Sequence, residues 1–245
     1  MNSSAPVLQS RFIPESGSAD WFKSQDAIYY CRFNVQSFND MYYEQCIVHF
    51  PENIRKAVPK RRAEFLAGRF CAKRALETIM TSPPDVGIGP NRNPVWPDQI
   101  KGSISHCDSS AVAVVSNSND ISGIGIDIEH AISDTTIKNI RAQIVLQDEI
   151  KLFVNSPLND TTVFTIIFSV KESFFKAAYP TVKKYFDFDA VTVLQIDVKT
   201  QKILFRLNYD LHANLQKGML FRGEFHMIDE GRLATLVTIP EVFIG

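Results

Sequence analysis

Apolar residues recur along the chain with one of two periods, and the switches between them mark out its elements. Residues 27–33 (AIYYCRF) and 44–50 (EQCIVHF) are β-rich runs that read as strands, the second stopped by Pro51. From about 59 to 80, Ala63, Leu66, Ala67, Phe70, Leu76 and Ile79 fall at helical spacing and predict an amphipathic helix of about five to six turns. Residues 82–98 pack five prolines and two glycines into seventeen positions, so they form loop or extended chain. Val95 and Trp96 call for burial there, which predicts an ordered loop clamped to the body, with Arg92 near its tip. KGSISH and AVAVVS, joined by CDSS, predict a hairpin, and GIGIDIE (123–129) a further strand. Residues 138–154 and 162–180 are helical by periodicity, the second ended by Pro180. Four strand-like runs, AVTVLQI, KILFRL, MLFRGEFHMI and RLATLVTI, close the chain. Residues 1–27 are polar, serine-rich and punctuated by Pro6 and Pro14, which reads as a loosely held arm. Each half after that offers helix plus antiparallel strands, so the expected class is α+β, with an arm (1–27) and subdomains at 28–122 and 123–245.

With 245 residues, 45% of them hydrophobic, the chain can bury a full core, and this composition excludes a disordered protein. The net charge of −1 excludes neither an acidic nor a basic partner, but the balance changes locally. Residues 55–74 carry eight basic side chains against the single acid Glu64, a concentration suited to an anion. Arg62, Arg69 and Lys73 share one side of the predicted helix there, for which an ordinary solvated face is the simpler reading. The four cysteines show neither a CxxC pair nor zinc spacing and read as reduced thiols. No basic segment followed by an apolar core opens the chain, and no eighteen apolar residues run together, so the expectation is a soluble, cytoplasmic protein without membrane insertion.

Two places carry candidate chemistry. In GIGIDIEH, Asp127 and Glu129 share the strand face opposite Ile124, Ile126 and Ile128, and lie about 6.7 Å apart along the chain. Like charges so close are costly unless a cation offsets them, so the pair is half of a site for a hard divalent ion or else part of a half-buried edge strand. In FSVKESFFKAA, Glu172 and Lys176 stand at i and i+4 with Phe168 one turn earlier, while Ile167, Val170, Phe174 and Ala178 form the stripe that can enter a core. That spacing suits an ordinary surface ion pair, or an acid serving as metal ligand or general base beside a cation for phosphate. His106 ends the GSISH strand; Cys107 beside it points to the opposite face and makes no nucleophile pair with it.

In order, RRAEFLAGR (61–69), NRNPVWPD (91–98), GSISH (102–106), GIGIDIE (123–129) and FSVKESFFKA (168–177) resemble the motif set of the 4′-phosphopantetheinyl transferases. The resemblance is to the larger, monomeric type, the branch that includes the enterobactin-synthetase component, and it spans about residues 60–180. The family pattern G-[IV]-D-x-E, followed by [FW]-[SC]-x-K-E-[SA]-x-x-K, has every charged position here; Phe168 stands where many members have tryptophan. The resemblance implies two similar α/β subdomains about a pseudo-twofold axis, and transfer of phosphopantetheine from coenzyme A to a serine of an acyl or peptidyl carrier protein. It implies Mg²⁺, with Mn²⁺ as the alternative ion, held by Asp127, Glu129 and Glu172. Glu172 is implied as base and Lys176 as the residue that neutralises phosphate charge. Arg61, Arg69, Arg92, Ser105 and His106 match the positions that contact the nucleotide end of coenzyme A, and Arg62 matches more weakly. Lys183, Lys184, Tyr185 and Phe186 are a candidate docking patch for an acidic carrier, with a solvated turn bearing two core aromatics as the alternative. No nucleic-acid partner is expected. A coenzyme A binder without catalysis and a Mg²⁺-dependent nucleotide phosphohydrolase are the competing functions.

Overall fold

A computed structural model describes residues 10–241, and its contacts divide the chain between Asn117 and Ser118. The first unit runs β1 (Glu15–Ser18), β2 (Ala27–Arg32), α1 (Tyr42–Gln45), α2 (Glu52–Arg55), α3 (Pro59–Glu77), β3 (Gly87–Ile88), β4 (Pro94–Val95), β5 (Lys101–Cys107) and β6 (Ser110–Ser116). Its main sheet is antiparallel in the order β1-β2-β6-β5, and α3 lies across it. Pro59 opens α3 where a missing N–H costs nothing, and Ala63, Leu66, Ala67, Phe70 and Cys71 form its buried face, as the helical spacing predicts.

Three expectations need correction in this unit. Residues 1–9 of the supposed arm lie outside the described residues, but from Ser10 onward the segment belongs to the fold: Phe12 and Ile13 are fully buried, and β1 pairs with β2. Few apolar residues suffice there because Phe12 meets Phe33, Phe38 and Tyr42 ring to ring. The run 44–50 is no strand. It holds the end of α1, a turn at Ile47 with φ of 53° and an irregular return. Cys46, Val48 and Phe50 bury themselves without a neighbouring strand, Phe50 stacked on Tyr43 at 3.8 Å, so the strand-like alternation is burial alone. In the proline-rich loop, Val86 is buried and Trp96 packs on the core as expected, whereas Val95 is 50% exposed.

The second unit runs β7 (Ile121–His130), α4 (Asp134–Ile144), α5 (Ile150–Val154), α6 (Asp160–Val182), β8 (Val191–Asp197), β9 (Lys202–Leu207), β10 (Leu220–Asp229) and β11 (Arg232–Pro240). The antiparallel sheet has the order β7-β11-β10-β9-β8, with α6 packed against β7 and β11. Asn159 caps α6 by accepting from the Thr162 N–H; the helix passes through Pro180 and stops at Lys183, whose φ is 54°. Pro180 sits in the final turn, where it disturbs little of the ladder, so it does not end the helix as the sequence suggests. The predicted helix at 138–154 is broken at Val145 and Leu146, which are extended, before a 3-10 turn at Gln147–Glu149. The cause is Glu149: its carboxylate, fully buried, accepts from the Leu146 N–H (2.7 Å), the Val193 N–H (2.6 Å) and Lys171 Nζ (3.0 Å). Both units are therefore a long helix on an antiparallel sheet, an α+β protein; among the described residues no helix is long and apolar enough to cross a membrane.

Candidate functional site

The GIGIDIE strand has its glycines for a packing reason. A Cβ on Gly125 would stand 1.9 Å from the Ser173 carbonyl oxygen, and one on Gly123 would stand 2.1 Å from that of Ala177. Only glycine lets the α6 backbone lie this close to β7. The same strand face continues to Asp127, which is 2% exposed and receives two charge-assisted bonds from α6. Lys176 Nζ donates to Oδ1 at 2.7 Å and Ser169 Oγ donates to Oδ2 at 2.7 Å. Lys176 also reaches the Ile126 carbonyl, at 3.3 Å. The isoleucines Ile124, Ile126 and Ile128 are buried on the other face, so this is not a half-wet edge.

Glu172 lies on α6 one turn before Lys176. Burial pushes its carboxyl above the ordinary range, the charge of Asp127 pushes the same way, and Lys176 pulls against both. Two carboxylates and an ammonium thus share one electrostatic neighbourhood. Glu129 follows Asp127 two residues on and is half-buried. Among the described residues no three acid, histidine or cysteine side chains are gathered as a ready metal cluster. The available donors are oxygens only, which is the chemistry a hard cation takes, and the mutual repulsion of Asp127 and Glu172 is what such an ion would relieve.

Glu172 also opens onto a cavity of about 260 Å³, lined with Phe175, Tyr185, Phe186 and Phe188. Tyr185 stacks on Phe175 yet stays 72% exposed, and Phe186 packs on the core. Lys183 and Lys184, both exposed, precede Tyr185 in the turn after α6. Neighbouring Lys171 points inward, to Glu149 and to the Ile144 carbonyl at 2.8 Å.

In the first unit, Arg61, Arg69, Arg92 and His106 all line one cavity of about 340 Å³. Arg61 donates to His106 Nε2 at 3.1 Å; a guanidinium has no lone pair to offer, so Nε2 is the acceptor. Arg69 lies over the Phe65 ring at 4.8 Å and gives one bond to the Gly87 carbonyl at 2.9 Å. Its Nε is buried without a hydrogen-bond partner among the described residues, and burial, reinforced by the charge of Arg61, pushes its pKa down to about 10. A desolvated guanidinium with an unused donor beside a cavity is prepared for an anion. Ser105 alternates to the other face of β5, is buried and is not among the lining residues. Arg62 points to Asp40 instead. Sequence reasoning missed Phe65 beneath Arg69, and Ser169 and Thr235 behind Asp127. The FSVKES motif contains Ser169 without marking its partner, and only knowledge of the strand pairing, Thr235 opposite Asp127, would have found the third.

Comparison with known proteins fits these two sites. Residues 50–116 match the family described as 4′-phosphopantetheinyl transferase N-terminal domain, and residues 123–228 match the 4′-phosphopantetheinyl transferase superfamily. Enterobactin synthase component D of Salmonella typhi is 37% identical over 150 residues, 60% of this chain and 62% of that protein. The protein of that name from Escherichia coli strain K12 is 39% identical over 138 residues, 55% and 64% of the two chains. The 4′-phosphopantetheinyl transferase Svp of Streptomyces mobaraensis is 32% identical over 158 residues, 62% and 63%. The aligned part spans roughly three-fifths of each relative. With its basic cavity inside one matched region and its Asp127–Lys176 pair inside the other, the chain belongs to the 4′-phosphopantetheinyl transferase superfamily.

Proposed function

We propose that this protein transfers the 4′-phosphopantetheine group of coenzyme A to a serine hydroxyl of an apo carrier protein, releasing adenosine 3′,5′-bisphosphate. The observation that carries this reading is Glu172, a carboxyl kept above its usual range beside the Lys176–Asp127 pair and open to a cavity. The serine oxygen attacks phosphorus of the pyrophosphate, a P–O bond to the nucleotide breaks, and the serine proton must leave. Glu172 takes that proton, directly or through water, as the carboxylate beside Lys176 that opens onto a cavity. Lys176 lies where its charge can balance the growing charge on the phosphate. Asp127, Glu129 and Glu172 would hold Mg²⁺, or Mn²⁺ in its place, and the ion would neutralise the pyrophosphate oxygens. Arg61, Arg69 and His106 would bind the nucleotide phosphates, with Arg92 nearer the adenine, and Ser105, on the other face of β5, takes no part.

The carrier would be an acidic helical protein serving siderophore, nonribosomal peptide, polyketide or fatty acid synthesis, docking on Lys183, Lys184, Tyr185 and Phe186. The enzyme would act as a cytoplasmic monomer. Intact-mass analysis of a panel of apo carriers incubated with the protein, coenzyme A and Mg²⁺ tests the reading. One phosphopantetheinyl group should be added to at least one carrier, and addition to none would refute transfer.

A further inference from the structure

Asp127 is held from behind by three hydroxyls, two from the FSVKES motif and one, on Thr235, that belongs to no motif in the sequence. Thr235 on β11 is the cross-strand partner of Asp127, and both lie under α6. Thr235 Oγ1 stands 2.9 Å from Ser169 Oγ and 2.7 Å from Ser173 Oγ, while Ser169 donates to Asp127 Oδ2. All three hydroxyl side chains are fully buried, so no solvent competes for their protons.

Counting protons fixes the direction of this array. Each hydroxyl has one proton, and an ionised carboxylate can only accept. Ser169 spends its proton on Asp127. The 2.9 Å contact with Thr235 is then a bond only if Thr235 donates to Ser169, which leaves Thr235 none for Ser173. The single Ser173 proton is then shared between Thr235 Oγ1 at 2.7 Å and the Thr235 carbonyl at 3.0 Å, both acceptors. The chain runs Ser173 to Thr235 to Ser169 to Asp127, and each link strengthens the next.

We propose that Thr235 is a positioning residue of the transferase, acting through Ser169 to fix the orientation of the Asp127 carboxylate toward the cation. This rests on the function proposed above. Were Thr235 silent, Ser169 could turn its proton elsewhere and Asp127 could rotate about its terminal torsion, changing which oxygen faces Lys176. Groups that orient a ligating carboxylate typically change metal affinity by about 10- to 100-fold when lost.

The test compares wild type with Thr235→Val, which keeps the shape and removes the hydroxyl, and Thr235→Ser, which keeps the hydroxyl. Binding of Mn²⁺ in the presence of coenzyme A is followed by electron paramagnetic resonance, alongside carrier-labelling kinetics. Thr235→Val should weaken Mn²⁺ binding about tenfold and lower kcat, with the KM for coenzyme A within about twofold; Thr235→Ser should restore both. Unchanged Mn²⁺ affinity in a folded Thr235→Val protein overturns the proposal, as does a Thr235→Ser protein no better than Thr235→Val. Should Thr235→Val fail to fold, Ser173→Ala removes the first link. A fall of about two- to threefold in Mn²⁺ affinity is then expected, and no fall overturns the proposal. Wild-type protein that binds Mn²⁺ but labels no carrier refutes the proposed function alone, because the Thr235 comparison is still read from the metal.

Discussion

The two units solve one packing problem in opposite ways. In the first, the glycine is on the helix: a Cβ on Gly68 of α3 would meet only the Ile104 Cγ2 methyl, at 2.9 Å. In the second, the glycines are on the strand, and the α6 backbone itself is the neighbour, at 1.9 Å from a Cβ on Gly125. The charges differ in the same sense. The α3 unit presents arginines to a cavity, while the α6 unit sets carboxylates against a lysine. An arginine reaches outward on a long stem, so α3 can keep a side chain's thickness between itself and its sheet. A carboxylate has a short reach, and bringing Asp127 to α6 demands that helix and strand almost touch.

The largest expected effect tests the acidic side. Glu172→Gln should reduce carrier labelling by about 10³-fold while the circular dichroism of the fold is retained. It should also stabilise the ligand-free protein at neutral pH. The folded chain holds the Glu172 carboxyl above its ordinary pKa, so the native state is penalised as pH rises through that folded value, and the penalty is absent in acid, where both states are protonated. Melting curves of wild type and Glu172→Gln should therefore separate at neutral pH and converge at low pH. A Glu172→Gln enzyme of normal activity would remove the role given to that residue.

Next is the contact that brings α6 to β7. Gly125→Ala drives a methyl into the Ser173 carbonyl and should cost about 3 kcal/mol or more, because helix and strand backbones cannot separate without losing the Ser169–Asp127 and Lys176–Asp127 bonds together. Urea unfolding measures the loss, and a Gly125→Ala protein as stable as wild type would show that α6 does not lie so near β7.

That contact also shows where the sequence is legible. The periodicities of α3 and α6 are strong because each buries one apolar stripe, and the Asp127, Glu172 and Lys176 motif is read from spacing and resemblance. The purpose of Gly123 and Gly125 is not readable, because the carbonyls they make room for are about fifty residues away in sequence. The break at Val145 and Leu146 is hidden for the same reason: Glu149 finds its partners on Lys171 and Val193, and a window of local periodicity contains neither. Residues 44–50 mislead in the other direction, since burial around an aromatic stack copies the alternation of a strand. In the basic cavity, Arg61, Arg69, Arg92 and His106 come together as the motif order suggests, whereas the alternation of β5 sends Ser105 away from them.

A smaller effect belongs to the basic side. Arg69→Leu removes a guanidinium whose Nε has no partner among the described residues, so ligand-free stability should hold or rise. Affinity for adenosine 3′,5′-bisphosphate, measured by calorimetry, should fall by about 10- to 100-fold, in line with about 1.5–3 kcal/mol for hydrogen bonds to a charged group. Arg69→Lys should not restore it, since an ammonium can neither lie flat on Phe65 nor offer a fork of donors. Unchanged affinity in Arg69→Leu would place the nucleotide elsewhere.

The smallest effect sharpens the contrast between the two helices. At Gly68 the added methyl of Gly68→Ala meets the end of the Ile104 side chain, which can move by a few tenths of an ångström, and not a fixed carbonyl. Overpacking of that kind costs about 1 kcal/mol, while alanine in a helix interior is favoured over glycine by roughly the same amount. The two terms nearly cancel, so Gly68→Ala should change the unfolding free energy by less than about 1 kcal/mol, against the large loss expected at Gly125. The pair of urea midpoints reads this directly. Equal losses at Gly68 and Gly125 would mean that α3 also rests on backbone, and the distinction between an arginine-bearing helix held at a distance and a carboxylate-gripping helix held close would not stand.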